Sequence, residues 1–197
     1  HLLDYNERVR IAGAPVEDAA LCAAFARVEA ARKAAGDIAL TYFEAGTLAA
    51  WECCVAANVD AIILEVGLGG RLDATNLYDA DCAIVTAIDI DHAEYLGDTR
   101  EAIGFEKAGI YRAGRPAICC DPQPPQSLVD HAHAIGAPLR LLDRDFGYLN
   151  QELQWQFWNR KGDATSRRSS LAFPGLRGPV QLQNASGVLA ALDALAE

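Results

Sequence analysis

Apolar residues in this chain gather into short runs separated by glycine, proline and acidic turns. Ala61–Val66 and Cys82–Ile88 are continuous rather than alternating, as strands covered on both faces of a parallel sheet should be. Ala117–Cys120 and Leu139–Leu142 read as a third and fourth short strand of the same kind. Apolar positions at helical spacing predict helices over Pro15–Ala35, with Gly36 as its stop, and over Thr99–Tyr111, with Thr99 as a cap. Gln126–Ile135 and Asn184–Leu195 read as further helices. Glu44–Asn58 is apolar almost all round and predicts a well-buried helix. Ile38–Phe43 reads as a short extended segment and residues 1–14 as an extended or loop segment.

The pattern changes after Asp145. Leu153, Trp155 and Phe157 alternate with Glu152, Gln154 and Gln156, the signature of a half-exposed antiparallel strand. Arg160–Ser170 is polar and basic and reads as an exposed hairpin loop, with Leu171–Phe173 and Val180–Leu182 as partner strands. The expectation is therefore an α/β fold, a mostly parallel sheet flanked by helices, with a small antiparallel excursion near the C-terminal end. A length of 197 residues suits one domain with a sizeable core.

Charge and cysteine usage narrow the function. A formal net charge of −10 argues against a general nucleic-acid or anionic-membrane surface. No apolar run is long enough to span a bilayer. The six cysteines include two vicinal pairs, Cys53-Cys54 and Cys119-Cys120, and no C-x-x-C spacing. They read as buried free thiols of a reducing cytoplasm rather than as zinc or redox sites.

Chemistry concentrates where runs end. Glu65 closes the first apolar run, just before Gly67, Gly69 and Gly70. Ligands of open α/β sheets sit beyond the carboxyl ends of the strands, and a carboxylate there is costly without a partner. The Asp91-His92 pair follows the second run, and Glu106-Lys107 lies on the next helix. A carboxylate and an imidazole at neighbouring strand ends suit a divalent cation. The glycine cluster is not a dinucleotide fingerprint, and no phosphate loop occurs in the chain.

ILEVGLGGRLDATN (Ile63–Asn76), IDHAEYLG (Ile90–Gly97) and EKAGIYR (Glu106–Arg112) resemble the bacterial folylpolyglutamate synthase/dihydrofolate synthase family of the Mur ligase superfamily. HLLDYNERVR (His1–Arg10), LTYFEAGTLAA (Leu40–Ala50) and QNASGVLAALDAL (Gln183–Leu195) match it in the same order. The resemblance implies a central-domain fragment, residues 1–197, with a P-loop-NTPase-like, ATP-binding fold. The phosphate loop and a metal-holding serine would lie upstream of His1 and a smaller domain beyond Glu197, so the fragment alone is expected to be inactive.

The implied reaction is ATP-dependent ligation of L-glutamate to dihydropteroate or to tetrahydrofolate-type folylpolyglutamates through an acyl phosphate, with Mg²⁺ required. Glu65 matches the family's Mg²⁺-binding glutamate, and His92 the histidine of a second Mg²⁺. Lys107 matches a lysine that is carbamylated in the family, which turns a cation into a carboxylate able to bind Mg²⁺. Thr41, Tyr42, Phe43 and Glu44, with Leu72, Asp73 and Ala74, match the pterin-acid pocket. Asn184 matches an ATP-contacting asparagine. The family also implies a cytoplasmic enzyme, monomeric when full-length, with no nucleic-acid or membrane partner. Two alternatives stand beside it: a muramyl-peptide ligase, against which the DATN tail counts, and a non-catalytic binding module of the same fold.

Overall fold

The first third of the chain builds its core from two helices joined at small residues. The computed structural model describes residues 3–90, 92–176, 178 and 180–196, and the chain divides into two compact units, His1–Val66 and Gly67–Glu197. In the first unit a 3-10 turn, Tyr5–Arg8, leads into a two-residue antiparallel hairpin, β1 (Arg10–Ile11) and β2 (Ala14–Pro15). Helices α1 (Asp18–Ala34) and α2 (Tyr42–Ala56) follow. Val9, Leu21, Ala24, Val28, Ala49 and Cys53 form the core between them. An Arg27–Glu52 ion pair of 2.6 Å joins the two helices at the surface.

Several expectations for this unit are corrected. Tyr42 and Phe43 belong to α2 rather than to an extended segment, because Thr41 starts the helix with a capping box. Its hydroxyl accepts from the Glu44 N–H (3.2 Å), and the Glu44 carboxylate accepts from the Thr41 N–H (2.7 Å). Helix α2 is less buried than its composition suggests. Only Gly46, Ala49 and Cys53 are fully covered, while Tyr42 and Val55 are exposed. The larger correction concerns Ala61–Val66, which is neither a strand nor buried: Ile63 is 97% exposed and Glu65 lies at the surface. A strand exists only through its neighbours, and β1–β2 is the only sheet described in this unit.

In the second unit the remaining aliphatic runs form a parallel sheet in the order β3-β4-β5. These strands are β3 (Ala83–Val85), β4 (Ala117–Cys119) and β5 (Leu139–Leu141), with Ala83 opposite Ala117 and Ala117 opposite Leu139. The crossovers carry α3 (Ala93–Leu96), α4 (Arg100–Ala108) and α5 (Gln126–Ile135). Side chains alternate across a strand, so β4 feeds two cores. Ala117 and Cys119 join Val85, Ile103, Tyr111, Leu128 and Ala132, whereas Ile118 and Cys120 join Phe146, Trp155, Phe157, Leu182 and Ala190.

The second core lies under an antiparallel sheet, β6 (Phe146–Asn150), β7 (Trp155–Lys161) and β8 (Ala164–Leu171), and the last helix, α6 (Gln181–Leu195). Arg160–Ser170 is therefore not a loop. It is the end of β7, a two-residue turn and nearly all of β8. The sequence ATSRRSSL of β8 carries no apolar alternation, and seven of its eight residues are exposed, so hydrophobic patterning had nothing to detect. Val180–Leu182 is also corrected: Val180 precedes α6 and Gln181 and Leu182 open it. Gly187 lets α6 settle on β4, since a Cβ there would lie 2.2 Å from the Cys120 Sγ.

Candidate active site

The glycine-rich stretch after Val66 is a loop built by side-chain capping of its own backbone. Asp73 is its keystone. One carboxylate oxygen accepts from the Gly67 and Leu68 N–H groups, both at 3.0 Å. The other accepts from the Thr75 N–H (2.9 Å) and the Thr75 hydroxyl (2.7 Å). Short polar side chains favour such local bonds, and here they start the 3-10 turn Ala74–Leu77.

The same loop is pinned to the C-terminal end of α4. The Arg71 N–H donates to the Glu106 carbonyl (2.9 Å), and the Arg71 guanidinium grips the Glu106 carboxylate at 2.9 to 3.2 Å. Asn76 donates to the Arg71 carbonyl (3.0 Å) and the Gly109 carbonyl (3.1 Å), and accepts from Arg112 (2.9 Å). Gly109 permits this approach, since a Cβ there would meet the Arg71 Cβ at 2.4 Å. Leu72, Asp73 and Ala74 are thereby tied to the helix that carries Lys107. Leu72 is 80% exposed at the loop surface. Lys107 is half-buried, and its ammonium has no ion-pair or hydrogen-bond partner among the described residues. A half-buried amine without a counter-charge is set up for reaction or for ligand contact.

His92 follows β3 and precedes α3, whose Tyr95 and Leu96 N–H groups donate to the His92 carbonyl (2.9 and 3.1 Å). Its φ is +49°, in the left-handed region that a non-glycine residue seldom occupies. Such conformations cluster at functional sites. Asp91, its partner in the sequence reading, lies outside the described residues.

In the first unit Thr41 and Glu44 hold the start of α2. The Thr41 backbone N–H keeps the Glu44 carboxyl below the usual carboxylate range. Tyr42 is 66% exposed and meets the Tyr5 ring edge-on at 5.5 Å, while Phe43 is half-buried. Glu65 is exposed in its own unit. Asn184 sits in the first turn of α6, three residues after Gln181. It is half-buried and is not the cap, a position held by Val180.

Sequence reasoning passed over the group that organises the carboxyl edge of the parallel sheet. Asp121, 3% exposed, follows β4. It accepts from the Ile88 N–H (2.6 Å) beyond β3, from Arg100 (2.9 Å) at the start of α4, and from the Gln123 N–H (2.8 Å). Gln183 of α6 donates to the neighbouring Cys120 carbonyl (2.7 Å). Glu101 of α4 caps α5 through the Gln126 and Ser127 N–H groups (3.1 and 2.8 Å), which lowers its carboxyl pKa. The available signal was Asp121-Pro122 directly after a buried run, a carboxylate at a strand end of the kind the sequence pattern predicts for Glu65. Burial pushes Cys82 and Cys119 up to about 11 and Cys120 to about 12. All six cysteines are free.

No protein-family model matches the chain. It is 46% identical over 194 residues to the dihydrofolate synthase/folylpolyglutamate synthase of Escherichia coli, covering 98% of this chain and 43% of that protein. It is 44% identical over 195 residues to the enzyme of that name from Haemophilus influenzae, covering 99% of this chain and 42% of that protein. Among solved structures, E. coli FolC in complex with DHPP and ADP matches with a TM-score of 0.91 at 44% identity, over 100% of this chain and 45% of that one. The bifunctional synthase of Yersinia pestis complexed with AMPPNP and Mn ion gives a TM-score of 0.89 at 44% identity, over 100% and 45% of the two chains. The chain thus spans less than half the length of the relatives it matches. Over that span its sequence and fold are similar to those of the dihydrofolate synthase/folylpolyglutamate synthases.

Proposed function

From that likeness we propose that the protein is an ATP-dependent ligase. It joins L-glutamate to dihydropteroate, to folylpolyglutamates, or to both. The observation that carries the reading is the match of the whole chain, at 44% identity, to a FolC in complex with DHPP and ADP. ATP phosphorylates the carboxylate of the pterin acid, the glutamate amine attacks the acyl phosphate, and phosphate leaves. Residues 1–197 serve as one ATP-binding domain of Mur-ligase type. The protein works in the cytoplasm as a monomer, with no nucleic-acid or membrane partner. No helix among the described residues is long and apolar enough to cross a membrane.

The chain's residues divide the work. Thr41–Glu44 of the first unit and Leu72–Ala74 of the second are the residues assigned to binding the pterin acid. Tyr42 and Leu72 offer exposed apolar surface to a flat ring. Both Asp73 oxygens are engaged by the loop backbone and Thr75, so Asp73 serves the pocket chiefly by holding its shape. Asn184 contacts ATP from the first turn of α6.

Among the described residues no three His, Cys, Asp or Glu side chains form a metal cage. The donors present fit Mg²⁺, which keeps several waters and takes one or two protein carboxylates beside phosphate oxygens. Glu65 would hold one Mg²⁺ and the imidazole of His92 a second. Lys107 would join after its unpaired amine gains CO₂ and becomes a carbamate. Mg²⁺ held by these residues would supply charge neutralisation during phosphoryl transfer.

The test is ADP release by the complete gene product with Mg-ATP and glutamate. Dihydropteroate, tetrahydrofolate and a UDP-muramyl acid are compared. Release with either pterin acid supports the reading. Release with the muramyl acid alone, or with none, overturns it.

A further inference from the structure

Two segments that matter to the proposed site leave the parallel sheet separately. One is the β3 exit toward His92, the other is α4 with Lys107. Ile88 lies four residues before His92. Arg100 opens α4, two turns before Lys107, so the two share a helix face. Both segments are fastened to one carboxylate. A single Asp121 oxygen accepts from the Ile88 N–H at 2.6 Å and from Arg100 at 2.9 Å, while its other oxygen fixes its own loop through Gln123. Arg100 also donates to the Gln123 carbonyl (2.9 Å), which closes the ring of contacts.

The Asp121 carboxyl group lies at a nearly dry position, and three donors offset the cost of burying it. Nothing in the packing requires an acid there. The cores on either side of β4 are apolar and complete without it. Buried hydrogen-bonding groups outside the ligand shell can orient metal ligands.

We propose that Asp121 is a positioning residue that sets the relative placement of His92 and Lys107, with Arg100 as its relay to α4. The inference rests on the ligase reading for the roles of His92 and Lys107. Asp121 acts through its bonds to Ile88, Arg100 and Gln123. Asp121→Asn weakens the acceptor that the two segments share, and the effect falls on metal affinity and kcat rather than on substrate capture.

Three proteins test this as the complete gene product: wild type, Asp121→Asn and Arg100→Met. Mn²⁺ binding is titrated by electron paramagnetic resonance in the presence of ADP, where no turnover occurs, and ADP release is measured separately. Asp121→Asn is expected to weaken Mn²⁺ binding on the order of tenfold. It lowers kcat by a similar factor and leaves the KM for glutamate unchanged. Arg100→Met, which keeps the Ile88 contact, shifts both in the same direction by less, and it carries the test if Asp121→Asn does not fold. Wild-type Mn²⁺ affinity in the folded variants, even with a lowered melting temperature, overturns the proposal. Mn²⁺ binding that responds as expected in a protein without ligase activity sustains the positioning role and overturns the ligase reading instead. A wild type that binds no Mn²⁺ overturns both.

Discussion

At the scale of single residues, the question is which groups are spent on structure and which remain for chemistry. Asp73, Glu44 and Glu106 are spent: each carboxylate is engaged by backbone N–H groups or by an arginine. Lys107 is not. Replacing Lys107 with alanine in the complete gene product is expected to lower kcat on the order of a hundredfold or more, as loss of one charge-stabilising group commonly does. A short carboxylic acid in the assay should restore part of the rate, and unchanged turnover in Lys107→Ala would contradict the assigned role. The thiols offer a second check. Their pKa values are raised in the folded state, so the stability they contribute is complete below the ordinary thiol value of about 8.5. It is lost as pH climbs through 11 to 12, where Cys82, Cys119 and Cys120 ionise. At pH 7.5 a thiol reagent should label exposed Cys22 in the native protein and reach Cys119 and Cys120 only after unfolding.

At the scale of elements, the docking of the glycine-rich loop on α4 is the contact to break. Asn76→Ala removes two donated and one accepted hydrogen bond. It should cost about 2–4 kcal/mol, as each lost bond is worth roughly 1 kcal/mol and leaves a carbonyl short of a partner. Gly109→Ala drives a Cβ into Arg71 and should cost about 1–3 kcal/mol. Urea midpoints measure both, and a change under 0.5 kcal/mol in either, the scatter of an ordinary surface substitution, would mean the loop is not held as described.

How far these elements were legible depends on their neighbours. The runs Cys82–Ile88, Ala117–Cys120 and Leu139–Leu142 gave β3, β4 and β5, and Gln126–Ile135 gave α5 to the residue, because each signal is local. Ala61–Val66 failed because an aliphatic run specifies no partner strand. β8 failed for the opposite reason: its ladder to β7 rests on backbone bonds, and its side chains hold no alternation to read. The candidate site was legible as residues but not as connections. No pattern in the sequence links Asp121 to Ile88 and Arg100, or Asn76 to Arg112, across 33, 21 and 36 positions.

At the scale of the whole molecule, the residues assigned to the reaction fall in both compact units. Thr41–Glu44 and Glu65 lie in the first, and Leu72–Ala74, His92, Lys107 and Asn184 in the second. A net charge of −10 sets the background against which the proposed ligase would bind an anionic nucleotide. Local cations and a divalent ion therefore carry more of the binding than the general field does, and raising the ionic strength should change the KM for ATP little as long as Mg²⁺ is saturating.

Oxygen transfer from the acid substrate tests the central claim most directly. Dihydropteroate labelled with ¹⁸O in its carboxylate would be turned over by the complete gene product with Mg-ATP and glutamate, and the released phosphate analysed by mass. An acyl-phosphate ligase moves one carboxylate oxygen into phosphate at every turnover, so one ¹⁸O per phosphate is predicted, with ADP and the glutamyl product in equal amounts. Phosphate free of label, or label recovered in AMP, would contradict the account.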